Sequence, residues 1–97
     1  MIGNDALRTS TSVGYAIAIG ESAVANGNVT DAADGVIGIG KGALYATITG
    51  AKNTAIGYEA LSGDTDGGSN VAIGYQAGKQ LTGSTRNTIV GQGALSA

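Results

Sequence analysis

One short pattern recurs through the whole chain and constrains what it can become: an apolar residue, Gly, two variable residues and Ala. It is written as Ile2-Gly3…Ala6, Ile19-Gly20…Ala23, Ile39-Gly40…Ala43, Ile56-Gly57…Ala60, Ile73-Gly74…Ala77 and Val90-Gly91…Ala94. The glycines stand at 3, 20, 40, 57, 74 and 91, so the spacings are 17, 20, 17, 17 and 17 residues. Recurrence in phase implies one supersecondary unit stacked on copies of itself. The three extra residues of the second spacing belong to a longer loop around Asn26-Gly27-Asn28, where a stacked coil tolerates them.

Before each glycine the residues alternate in size. Ile17/Ile19, Ile37/Ile39, Thr54/Ile56, Val71/Ile73 and Thr88/Val90 share one face, and Ala18, Gly38, Ala55, Ala72 and Ile89 share the other. Period two over such a short run is the mark of a β-strand. The bulky column Ile19, Ile39, Ile56, Ile73 and Val90 is expected to fill the interior. The column Ala18, Gly38, Ala55, Ala72 and Ile89 is then expected to let other chains approach around a shared axis. After the glycine, Ala and usually an aliphatic (Val24, Leu44, Leu61) suggest a second, shorter strand or turn-strand. Helix is rejected around Glu59-Ala60-Leu61 and Gly42-Ala43-Leu44-Tyr45-Ala46, because no three-four apolar spacing persists and Gly interrupts each candidate. Disorder does not keep isoleucine in phase.

Composition agrees with thin coils. The 97 residues, read as the single domain 1–97, hold no Phe, no Trp, 4 Tyr, 18 Gly and no Pro. Five basic against seven acidic residues leave no basic face for nucleic acid. Without Cys or His there is no disulfide, no zinc site of the usual kinds and no histidine acid–base chemistry. No apolar run is long enough to insert in a membrane as a helix, and Met1-Ile2-Gly3-Asn4-Asp5 does not read as a signal peptide. Because the repeat starts and stops without capping units, the chain is expected to be part of a longer fibre or to have its ends covered by partners.

Chemistry-bearing motifs are few. Gly35 to Gly42 matches Gly-x-x-x-x-Gly-Lys, but Gly42 stands where a phosphate-binding loop needs Ser or Thr, and Gly40 is already the repeat glycine. Asp64-Thr65-Asp66 has no matching carboxylates in the neighbouring loops, as a calcium-binding coil would require. Glu59 has no second carboxylate placed beside it by the repeat, so glycoside cleavage is not indicated. Asn53, Asn70 and Asn87 form a column suited to an amide ladder. Tyr58 and Tyr75 occupy one repeat position and should stack, either as corner packing or as a platform contacting a ligand such as a sugar. The expectation is a protein that is not an enzyme, with no catalytic, cofactor-binding or metal-binding residues.

Asn53-Thr54-Ala55-Ile56-Gly57-Tyr58-Glu59-Ala60-Leu61 and Asn70-Val71-Ala72-Ile73-Gly74-Tyr75-Gln76-Ala77-Gly78 resemble the repeats of bacteriophage tail fibres. They are also similar to the Asn-Ser-Val-Ala-Ile-Gly repeats in the heads of trimeric autotransporter adhesins. The resemblance covers nearly the whole chain. It implies an all-β, left-handed parallel β-roll of about six 17-residue repeats, assembled as a homotrimer. Ala16 and Val36 stand where those families have Asn, and the 17-residue period favours the fibre. A virion fibre segment for host attachment is therefore expected, with other fibre or tail proteins at its ends and a host surface glycan or protein as partner. The alternatives are an adhesin head on a bacterial surface and, third, a polysaccharide-degrading tailspike.

Overall fold

Among the described residues five short strands run parallel and pair in chain order: β1 (Ala16–Ile19), β2 (Val36–Ile39), β3 (Thr54–Ile56), β4 (Val71–Ile73) and β5 (Thr88–Val90). This computed structural model describes residues 2–6, 15–25, 35–46, 51–63, 67–81 and 83–95. The longer loop around Asn26–Asn28 and the Asp64–Asp66 turn lie outside the described residues. Register follows the repeat, with Ala55 beside Ala72, Ile56 beside Ile73, Ala72 beside Ile89 and Ile73 beside Val90. Ile2 adds a parallel bridge to Ile19. The chain is all-β and solenoid-like, with no helix among the described residues.

The two strand faces are reversed from the sequence expectation. Ala18, Gly38, Ala55, Ala72 and Ile89 are buried inside the coil, so they line this chain's own interior and are closed to a neighbouring chain. Ile19, Ile39, Ile56, Ile73 and Val90 lie on the outside; Ile39 is half-buried, whereas Ile56, Ile73 and Val90 are 36%, 40% and 68% exposed. The reason is the thinness of the coil. Across from each strand the chain brings in Ala23, Ala43, Ala60 and Ala77 together with Val24, Leu44 and Leu61, all fully buried, and little room remains for the strand. A Cβ on Gly38 would lie 2.9 Å from Val24 Cγ2 and 3.3 Å from the Ala43 carbonyl. An inward Ile would overpack such a layer.

The last two coils show the same space filled the other way round. Gly78 stands where its neighbours carry Leu, and Ile89 where they carry Ala or Gly. A Cβ on Gly78 would meet Ile89 Cδ1 at 3.1 Å and Leu61 Cδ2 at 2.8 Å, so Ile89 occupies volume that a residue larger than Gly would claim. The swap conserves volume, the kind of exchange packed cores tolerate.

Of the expected strand or turn-strand after each glycine, the described residues form the turn and no second strand. Ala43 N–H donates to Gly40 O at 3.1 Å and Ala60 N–H to Gly57 O at 3.2 Å, closing four-residue turns. Leu44 and Leu61 take φ of 52° and 50°, left-handed values that break an extended run. Pairing between coils nevertheless continues, because Leu44 N–H reaches Ala60 O and Leu61 N–H reaches Ala77 O, both at 2.9 Å.

The asparagine column is an internal ladder, as its spacing suggests. Asn53 and Asn70 are fully buried. Asn53 Nδ2 donates to Gly67 O at 2.6 Å, and its Oδ1 accepts the Asn70 N–H at 3.0 Å. Asn70 repeats the device, donating to Ser84 O at 2.7 Å and accepting the Asn87 N–H at 2.9 Å and its Nδ2 at 3.0 Å. Asn70→Leu would take the partner from the half-buried Ser84 carbonyl and Asn87 N–H, and should cost about 1–3 kcal/mol in urea unfolding. The same change at half-buried Asn87 should cost less.

Candidate functional site

Because the corner glycines stack directly, the residues that follow them form an outer column: Glu21, Lys41, Tyr58, Tyr75 and Gln92. Its two aromatic members lie ring on ring, with centroids 5.2 Å apart and planes 9° from parallel. Both stay partly exposed, at 40% and 48%. The sequence-predicted pair Tyr58 and Tyr75 is thus brought together as a rigid apolar step on the surface.

Charged groups flank that step. Lys79 Nζ lies 2.8 Å from Glu59 Oε2, and Gln76 Nε2 donates to Glu59 Oε1 at 3.5 Å. The hydrogen bond from Lys79 holds the Glu59 carboxyl below its ordinary value against a smaller opposing effect of burial, and the same bond raises Lys79. The lowered carboxyl stabilises the fold above the unfolded carboxylate pKa, and that contribution is lost as pH falls through the lowered folded value. The raised ammonium contributes below the unfolded lysine pKa and ceases to contribute as pH rises through the folded one. Between these limits the wild-type chain should melt above Glu59→Gln, and the gap should close on acidification. Melting curves of both proteins from neutral pH down through the carboxylate range check this. A second pair, Lys41 with Glu21 at 3.6 Å, is half-exposed on both sides and adds little.

An open groove of about 290 Å³ lies between Lys41, Tyr45, Tyr58, Glu59, Ser22 and Ser62, with Gly42 completing its wall. Tyr45 and Lys79 were not foreseen as site residues. The signal was available, since Tyr45, Ser62 and Lys79 each stand five residues after a corner glycine and so fall in one column. The Gly35–Gly42 stretch does not form a phosphate cradle. Its Ile37, Gly40 and Gly42 N–H groups donate to Asn53 O, Ile19 O and Glu21 O at 2.8, 2.7 and 3.0 Å, so they are already used between coils. Among the described residues no three His, Cys, Asp or Glu side chains cluster to hold a metal.

Comparison with protein-family models, with curated proteins and with solved structures found no match. The residues expected in the core, Ile19, Ile56, Ile73 and Val90, join Ile2 and Ile17 as exposed apolar side chains on the outer face of the sheet. At its N-terminal end this face adjoins a second open groove, of about 480 Å³, between Tyr15, Ile17 and Ile37.

Proposed function

We propose that the chain is a structural segment of a phage tail fibre, a left-handed roll of six repeats that works as a homotrimer and carries or forms a host-attachment surface. The observation that supports it is the outward isoleucine ladder. Ile19, Ile39, Ile56, Ile73 and Val90 repeat on one face of a parallel stack, coil after coil, with no charge among them. An apolar stripe of that kind on a soluble surface marks an interface. Identical copies suit it, because every coil offers the same side chain at the same height and three rolls can align around one axis. The interior supports the same conclusion: built largely of Ala, it leaves the bulky apolar side chains outside, where a second copy can bury them. The choice of a phage fibre rests on the Asn53–Leu61 and Asn70–Gly78 repeats and their 17-residue period.

Sedimentation or light scattering tests the assembly. The native chain should run at three times its monomer mass. The double change Ile56→Lys with Ile73→Lys should yield a folded monomer with the same far-UV spectrum. A native chain that stays monomeric at high concentration overturns the trimer.

A further inference from the structure

We infer that the groove between Tyr45 and Tyr58 is a binding site for a neutral hexopyranose, one or two rings of a surface glycan. The inference rests on the attachment reading for the source of the sugar, but on the groove alone for its chemistry. Tyr75 covers the Tyr58 ring from the following coil at 5.2 Å. On the opposite side, the same position of the preceding coil holds Lys41 in place of a ring, so the aromatic ladder ends there and the other face of Tyr58 opens into the groove. Tyr45 lines the same space five residues beyond Gly40. Gly42 keeps Glu59 uncovered, since a Cβ there would lie 3.3 Å from Glu59 Cγ.

A pyranose has an apolar C–H face and a rim of hydroxyls, and these surfaces match that need. Rigid tyrosine rings offer area at low entropic cost together with a polar handle. Glu59 is held in place by Lys79 and Gln76 and is ionised, so it can accept from two hydroxyls without first being ordered. Lys41 Nζ, Ser22 and Ser62 supply donors around the rim. A groove of about 290 Å³ lies at the lower end of small-molecule sites, suited to one or two sugar rings. Other ligand classes fit worse. A phosphate or acidic sugar would meet the Glu59 carboxylate, and Glu21 beside Lys41 offsets the charge of that ammonium while leaving it hydrogens to donate to a neutral hydroxyl. Single-stranded nucleic acid needs a basic track, which a chain of net charge −2 does not provide.

The experiment is a titration of the isotopically labelled chain with methyl glucoside, methyl galactoside and methyl mannoside, with N-acetylneuraminic acid as the charged comparison, followed by amide shifts. Saturable shifts in the millimolar range confined to Lys41, Tyr45, Tyr58, Glu59 and Ser62 are expected for at least one neutral sugar. Tyr45→Ala and Tyr58→Leu should each weaken binding about tenfold, while Tyr58→Phe, which keeps the stack, should retain it. The inference is overturned if no neutral glycoside gives saturable shifts, if the acidic sugar binds best, or if Tyr45→Ala binds like the native chain. Mass measured on the same samples separates the two proposals. A trimer without sugar shifts removes only the groove, and sugar shifts on a monomer remove only the assembly.

Discussion

Gly57→Ala is expected to unfold the centre of the stack, at a cost of about 4 kcal/mol or more. Two effects add at this corner. The residue sits at φ +134°, where an L side chain is strained whatever the space around it. A Cβ would also lie 2.5 Å from the Gly74 carbonyl oxygen and 2.8 Å from its carbon, and both atoms are backbone of the next coil. That carbonyl oxygen accepts the Ala77 N–H at 3.2 Å, so displacing it disturbs the turn of the next coil. Gly91 separates the two effects within the same protein. It has φ +132°, yet among the described residues an added Cβ would find only Ala94 Cβ at 3.9 Å. Gly91→Ala therefore carries the strain alone and should cost about 1–3 kcal/mol. Urea midpoints of the two variants give the difference directly. Equal losses would show that close approach between coils is not what demands glycine here.

What could be read from the sequence follows from the same stacking. Once the period is known, any residue type recurring at that spacing must lie above its copy, and so the strand register, the Asn53–Asn70–Asn87 ladder and the Tyr58–Tyr75 stack were all visible beforehand. The choice of faces was not. Alternation separates Ile56 from Ala55 but does not say which looks inward, and the usual assumption that bulk goes inside fails when the coil is too thin to hold it. The information was present in Gly78 and Ile89, whose departures from the repeat compensate only if both occupy one interior. The turns were hidden for a different reason. Left-handed positions are normally sought at Gly or Asn, whereas here Leu44, Glu59 and Leu61 adopt them with φ of 52°, 55° and 50°. Their cost is offset by bonds to the adjacent coil, such as Glu59 N–H to Lys41 O at 2.8 Å, which no local propensity reveals.

Ala72→Lys and Ile73→Lys, changes at neighbouring residues, should have opposite consequences. Ala72 is wholly inaccessible, paired with Ala55 on one side and Ile89 on the other, in the layer that also holds Leu61 and Ala77. A lysine there must bury an ammonium without a partner or force the coils apart, and either route should cost about 3–5 kcal/mol. Ile73 is 40% exposed, so a lysine at that site can extend into water. The isolated roll should change by no more than about 0.5 kcal/mol, while self-association through the isoleucine face should be lost. Unfolding measured at a concentration low enough to keep the chain monomeric isolates the first effect, and mass at high concentration isolates the second. If Ile73→Lys unfolds the monomer and Ala72→Lys leaves it intact, the bulky column lies inside after all and the isoleucine ladder is no interface.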